Sequence, residues 1–172
     1  MREELPGDEL AVSEVIRAAF ALEPDSTGTE HFVVDALRRD AVLDVSLVAT
    51  AEGGIIGHIA VSRVSITPHD DPGADGPDGW YGLGPVSVLP DFQRQGVGTQ
   101  LIRKALDELS TAQGCVLDGD PDFYRRFGFA PDDRLTHSYA KEGWFQVLPI
   151  QCPPEEVPVG SVEYHAYFDV SA

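Results

Sequence analysis

One stretch constrains the fold more than any other: Gly84-Pro85-Val86-Ser87-Val88-Leu89-Pro90-Asp91-Phe92-Gln93-Arg94-Gln95-Gly96-Val97-Gly98-Thr99. It reads as an extended run, then a turn holding two glycines, then the start of a helix. From Val97 the apolar residues Leu101, Ile102, Ala105, Leu106 and Leu109 recur at helical spacing, with Arg103, Lys104, Asp107 and Glu108 on the outer face. Such a turn leaves main-chain N–H groups unpaired at the positive end of a helix dipole, an arrangement that binds phosphate. Gly96 and Gly98 withhold side chains where an anion must approach the backbone, and Arg94 can add a charge-assisted donor. The stretch is no P-loop, since the chain has no Gly-Lys pair. It is no G-x-G-x-x-G fingerprint either: Leu101 stands where the third glycine of one frame belongs, and Ser87 in the frame from Gly82. On this turn alone, a phosphate site and a ligand-free glycine turn are both open.

The flanking sequence supplies an alternation of helices and strands. Asp8 is placed to cap a first helix, whose apolar face is Leu10, Val12, Val15, Ile16, Ala19 and Phe20, closed by Pro24. A second helix is expected over Glu30 to Arg39, with Phe32, Val33, Ala36 and Leu37 inward. Val45 to Ala49, the turn Glu52-Gly53-Gly54, and Ile55 to Ile66 read as a β-hairpin. Thr67 to Gly79, dense in Pro, Gly and Asp, reads as an exposed loop before a strand over Tyr81 to Val88. Gly114 is expected to stop the helix that starts at Val97, and Cys115-Val116-Leu117 to form a short buried strand. Asp122 to Phe127 is expected as a short helix ended by Gly128, with strands over Trp144 to Leu148 and Val162 to Phe168. Only Met1 to Leu5 precede the Pro6-Gly7 pair ahead of Asp8, so any first strand is short. Interleaved helices and strands over 172 residues give one domain of the α/β or α+β class.

Charge excludes one class of partner. The chain carries 29 acidic residues against 12 Lys and Arg, a net charge of -17. Nucleic-acid binding needs Lys and Arg to neutralise phosphates, and this surface repels polyanions. No apolar run reaches the roughly 18 residues that span a membrane, and no secretion signal is recognisable. The two cysteines, Cys115 and Cys152, fit neither a zinc spacing nor a disulfide framework. A reduced, cytoplasmic protein without a metal is the expectation.

A second segment, Leu117-Asp118-Gly119-Asp120-Pro121-Asp122-Phe123-Tyr124-Arg125-Arg126-Phe127-Gly128-Phe129, places Tyr-x-x-x-Gly-Phe after a short strand. Taken with Gln93-x-x-Gly96-x-Gly98, it resembles the GNAT superfamily of acetyl-CoA-dependent N-acetyltransferases. Gln93 to Gly98 is similar to the pyrophosphate motif Q/R-x-x-G-x-G/A, and Tyr124 to Phe129 to the helix and Gly-Phe turn that follow it. Thr50 to His58, Gly84-Pro85-Val86 and Gly119-Asp120-Pro121 extend the likeness to a branch of small bacterial N-acetyltransferases, although Asp118-Gly119-Asp120 stands where many relatives carry asparagine.

The resemblance implies a single GNAT domain over residues 1–172, with a mixed, mostly antiparallel twisted sheet flanked by helices and splayed central strands. It implies acetyl-CoA as co-substrate, held by the amides of Arg94, Gln95, Gly96, Val97, Gly98 and Thr99 behind Gln93. The strand Val86-Ser87-Val88 would offer N–H groups to the pantetheine and the acetyl oxygen. Tyr124 would protonate the departing thiolate. The acceptor implied is a small-molecule or peptide amine, and a homodimer is compatible. For the general base, His58 is a candidate, with Asp118 and Asp120 behind it. Glu30 and His31 lie on the helical region that often walls the acceptor. A non-catalytic acyl-CoA-binding module on the same fold is the alternative, and another acyl group is not excluded by the motif.

Overall fold

A computed structural model describes residues 1–21, 23–24, 26–51 and 53–166. In chain order the elements begin β1 (Arg2–Glu3), α1 (Glu9–Phe20), α2 (Glu30–Arg39), β2 (Leu43–Ala51), β3 (Gly54–Arg63), β4 (Ser65–Pro68) and β5 (Trp80–Val88). They continue α3 (Val97–Glu108), β6 (Gly114–Asp118), α4 (Pro121–Tyr124), β7 (Leu135–Thr136), β8 (Phe145–Pro149) and β9 (Gly160–Glu163). The chain forms two compact units, the first built mainly from residues 1–62 and 84–108, the second from 63–83 and 109–164.

In the first unit β1 pairs antiparallel with β2, and β2 antiparallel with β3, with Ser46 opposite Ala60 and Val48 opposite His58. Every residue of β3 from Ile56 to Ser62 is buried, glycine included, because both faces of the strand are covered. On one face Val12 and Ile16 of α1 and Val34 of α2 pack with Val48 and Ala60. On the other, Gly57 faces α3: a Cβ there would meet Leu101 and Ser87 O at 3.1 Å and Val97 at 3.2 Å. Gly57 thus lets α3 close on the strand. The last residues of β5 run beside β3, and Leu89 N donates to Ile56 O at 2.9 Å.

In the second unit Trp80, Tyr81 and Gly82 of β5 pair parallel with Gly114, Cys115 and Val116 of β6. β6 pairs antiparallel with β8. A small sheet of order β4-β9-β7 joins them, antiparallel between β4 and β9 and parallel between β9 and β7. Trp80, Val116, Leu135, Val147, Val157 and Val162 are central to this unit's core. Pairing is mixed and mostly antiparallel, as expected.

Several local expectations need correction. Asp8 precedes α1 but makes no side-chain cap; its carboxylate instead accepts from Arg2 and from Leu5 N at 2.8 Å, because a guanidinium stands closer than the first-turn amides. Phe32 is exposed, and Val34 takes its inward place beside Val33, Ala36 and Leu37. The helix from Val97 ends at Glu108, ahead of Gly114. Gly114 opens β6 because a Cβ there would lie 2.3 Å from the Trp80 ring. The run Ile55 to Ile66 is two strands, broken at Val64, whose N–H turns to Trp80 O. Glu52 of the expected hairpin turn and Phe168 of the last expected strand lie outside the described residues. The short helix and the left-handed Gly128 that ends it (φ +93°) stand as expected, with a 3-10 turn over Arg125–Phe127 between them.

Candidate active site

The first unit contains a turn whose main-chain amides are left without acceptors among the described residues. After β5, Pro90–Phe92 makes a 3-10 turn and Gln93 is extended. Arg94 then takes a left-handed conformation (φ +58°), Gly96 another (φ +85°), and α3 begins at Val97. Two glutamines staple the turn: Gln93 Nε2 donates to Val88 O at 3.1 Å and Gln95 Nε2 to Asp91 O at 2.7 Å. Gln93 N–H is taken by Pro90 O, and Gln100 N–H by Gly96 O. Between them, the six N–H groups from Arg94 to Thr99 find no acceptor among the described residues. Three of these head α3, and three sit in a backbone of alternating hand, a geometry that turns successive amides toward one anion. Arg94 is left-handed without being glycine, as is Ala41 after α2.

The two glycines serve differently. A side chain at Gly96 meets only Gln100 Nε2 at 3.9 Å, so its constraint is the positive φ. At Gly98 φ is ordinary and a Cβ would touch only Val88 at 3.7 Å. One methyl fits there, in keeping with the G/A alternative of the motif. Val86 and Val88 are half-buried, whereas Ser87 is wholly buried and its Oγ has no hydrogen-bond partner among the described residues.

Tyr124 ends α4 in the second unit. Asp120 caps that helix, accepting from Asp122 N at 2.9 Å, and so has a structural occupation. The Tyr124 ring packs on Phe123, Phe127 and Phe129 with centroids 5.0, 6.3 and 6.0 Å away. A Cβ at Gly119 would lie 2.4 Å from the ring, so glycine there gives the phenol its place beside the end of β6. Gln146 is wholly buried and ties the Gly119 carbonyl at 2.9 Å. Burial, then the neighbouring Cys115 and Asp120, push the Tyr124 phenol up to about 12. It therefore carries a proton across the working pH range, as a proton donor must. Tyr164 has no motif around it in the sequence. Its phenol is raised well above the ordinary value by burial first, then by Cys115, Asp118 and Tyr124.

The other candidates resolve individually. His58 is wholly buried; its Nε2 lies 2.9 Å from Ser46 Oγ and 3.8 Å from Glu4 Oε2. Glu4 Oε1 meets Arg38 at 2.7 Å, off the hydrogen-bond line. Burial, then the Arg38 charge, push His58 down to about 3, so the ring is neutral and weakly basic. Glu30 accepts from Ser26 Oγ at 2.6 Å and Thr27 N at 3.2 Å, bracing the start of α2. His31 is buried with its ring 3.9 Å from that of Phe32. Asp118 accepts from Lys141 N at 3.3 Å. Among the described residues no three His, Cys, Asp or Glu side chains gather as a metal site, and no helix is long and apolar enough to cross a membrane.

Comparison with known proteins adds three findings. A family profile described as an acetyltransferase (GNAT) domain matches residues 43–131. The chain is 33% identical to an N-acetyltransferase of Escherichia coli, YhbS, itself described as uncharacterized, over 98% of each chain. Among solved structures, a GNAT family acetyltransferase from Brucella melitensis in complex with acetyl-CoA aligns at 44% identity and TM-score 0.81, covering 98% of this chain and 96% of that one. The Escherichia coli YhbS structure in complex with CoA aligns at 31% identity and TM-score 0.83, covering 99% and 92%.

Proposed function

The chain belongs to the GNAT acetyltransferase family, and from that premise we propose that it transfers an acetyl group from acetyl-CoA directly to a primary amine bound at the same time. The observation that carries this reading is the run of six amides from Arg94 to Thr99 that find no acceptor among the described residues. Their number suits the diphosphate of CoA, and Arg94, an exposed residue of the same turn, adds a positive charge. The likeness of Gln93–Gly98 to the family motif supports the same assignment.

Acetyl transfer needs three things from the protein. The thioester must be held, and Val86, Ser87 and Val88 are assigned this through main-chain N–H groups. A main-chain donor aimed at a developing oxyanion is worth ~3–4 kcal/mol. The departing thiolate must receive a proton, and Tyr124 is assigned as its donor; a phenol pushed up to about 12 is protonated at neutral pH. The amine must attack in its neutral form, and no residue is assigned as an obligatory base, since His58 is too weakly basic to hold the proton. Relatives that cover 98% of the chain support reading residues 1–172 as a single N-acetyltransferase domain.

The test is acetyl-CoA consumption against a panel of polyamines, aminoglycoside-like amines and peptide amines, read by free-thiol release. Melting with millimolar CoA, and with adenosine diphosphate and NAD as controls, runs beside it. Thiol release that depends on one amine supports the reading. A CoA-induced melting shift without turnover on any amine would favour a non-catalytic acyl-CoA-binding module, and no CoA shift would remove the cradle assignment.

A further inference from the structure

Gln146 is a costly residue for its position. It is wholly buried on β8, opposite Leu117 of β6. Its Oε1 has no hydrogen-bond partner among the described residues, and an unpaired buried polar atom loses stability that an apolar side chain would keep. What Gln146 supplies is a donor: Nε2 gives a hydrogen bond to Gly119 O at 2.9 Å and lies 3.5 Å from Trp144 O. The ladder shows why that donor is needed. The β6–β8 register continues one residue past β6, where Gly119 N donates to Trp144 O at 3.1 Å. An antiparallel rung of this kind exchanges two bonds. Trp144 N–H turns instead to Lys141 O at 2.9 Å, closing the turn before β8. Gly119 O thereby loses its ladder partner, and Gln146 Nε2 takes that partner's place.

Two contacts of Tyr124 hang on this repaired rung. The first is the ring. A Cβ at Gly119 would lie 2.4 Å from Tyr124 Cε2 and 3.3 Å from Leu117 Cδ1, so Leu117, Gly119 and the phenol ring share one face of the sheet. Gln146, cross-strand from Leu117, points to the same face, and the Gly119 backbone is the floor under the ring. The second contact is the helix. Gly119 O and Asp120 N belong to one planar peptide, so holding the carbonyl fixes where Asp120 starts α4. Asp120 O then accepts from Phe123 N and Tyr124 N, both at 3.0 Å, and the Asp120 carboxylate accepts from Asp122 N at 2.9 Å. One side-chain donor thus sets both the floor under the phenol and the first turn that carries it.

Resting on the acetyl-transfer reading, we propose that Gln146 is a positioning residue for the acid step: by holding Gly119 O it sets the depth and direction of the Tyr124 phenol, acting through Gly119 and Asp120. Gln146 offers no proton, since a carboxamide does not titrate. Its effect is on the rate. A proton donor works only within hydrogen-bond reach of the atom it protonates, and about 1 Å of displacement is enough to slow a positioned step roughly 100-fold. The CoA diphosphate is assigned to the amides after β5, so loss of the Gln146 donor falls on turnover and spares acetyl-CoA binding.

The test replaces Gln146 by methionine, an unbranched side chain of similar length without an N–H. With the best amine of the panel, Gln146→Met should lower kcat roughly 10–100-fold and change the acetyl-CoA KM less than about 3-fold. Val147→Ala is the control. It removes buried volume from the other face of β8, and should lower the melting temperature while kcat stays at the parent level. Gly119→Ala disturbs the ring by the opposite route, leaving the Gln146 donor in place and putting a methyl 2.4 Å from Tyr124. It too should lower kcat, and the double variant with Gln146→Met should lose no more than the larger single loss. Carbon-13 NMR of labelled tyrosine in the full chain, with Tyr124 assigned by Tyr124→Phe, reads the phenol without turnover. Its Cζ signal should move in Gln146→Met and stay in Val147→Ala. Parent-level kcat or an unmoved Tyr124 signal in Gln146→Met overturns the proposal, as do an equal kcat loss in Val147→Ala and additive losses in the double variant. If Gln146→Met does not fold, Gln146→Leu gives the same readouts. If no amine is acetylated, the acetyl-transfer reading falls by itself, and the Tyr124 signal still decides this one.

Discussion

Replacing each cradle glycine by alanine separates conformation from space. At Gly96 the added methyl has room, but the left-handed φ of +85° costs an L-residue about 1–2 kcal/mol. The loop from Gln93 to Gly96 is exposed, so the free protein can relax there, and the strain falls on the complex that needs the amides aligned. A loss of about 1.4 kcal/mol is a tenfold weaker Kd. CoA at 100 times the parent Kd adds ~2.7 kcal/mol to the parent and only ~1.4 kcal/mol to the variant. At roughly 2–4 °C per kcal/mol for a chain of this size, the CoA-induced melting shift should fall from about 5–11 °C to about half of that in Gly96→Ala. Gly98→Ala is the internal control. Its φ is ordinary, its methyl touches only Val88 at 3.7 Å, and alanine in a helix gains up to about 1 kcal/mol over glycine. That variant should melt at or above the parent and keep its CoA shift. The assay is thermal melting with and without CoA, with titration calorimetry for the Kd. An undiminished CoA shift in Gly96→Ala would refute the cradle geometry, and an equal loss in both variants would refute the distinction between the two glycines.

Three further outcomes are expected. Tyr124→Phe should lower turnover at saturating acetyl-CoA by ~10²–10⁴-fold with little change in melting temperature; normal turnover removes the acid assignment. His58 is pushed from 6.5 to about 3 on folding, so the unfolded chain binds the extra proton in that window and stability falls as pH falls through it. From pH 7 to pH 5 this one group removes about 2 kcal/mol, an increment that urea unfolding should find in the parent and miss in His58→Phe; the same increment in both would place its source elsewhere. Gly57→Ala should destabilise by roughly 1–3 kcal/mol, because the Cβ meets three atoms at 3.1–3.2 Å, whereas Gly54→Ala, with its nearest neighbour at 4.0 Å, should melt close to the parent. Equal melting of these two would show that α3 does not depend on Gly57.

What could be read from the sequence, and what could not, divides along a physical line. A phosphate cradle is made of consecutive main-chain amides, so its order in space is its order in the chain, and Gln93 to Thr99 announces it. The short helix ending in Tyr124 is equally local, with its Asp120 cap, its proline and the left-handed Gly128. The Glu4–Ser46–His58–Arg38 chain has no such signature. Its members are separated by up to 54 positions and meet through the register of β2 on β3 and the packing of α2, and register shows in a sequence only when one face of a strand is polar. β3 is covered on both faces, so the face carrying His58, Ala60 and Ser62 does not show in the sequence whether it meets solvent or core, and His58 stands out as a strand histidine without revealing its partners. Phe32 misleads for the opposite reason: neighbouring apolar residues on one helix turn cannot all face inward, and packing chose Val33 and Val34. The donor half of the proposed reaction is assigned to backbone atoms that follow chain order. No contiguous motif addresses the acceptor half of that reaction, which is why a family motif that points to CoA leaves the amine unspecified.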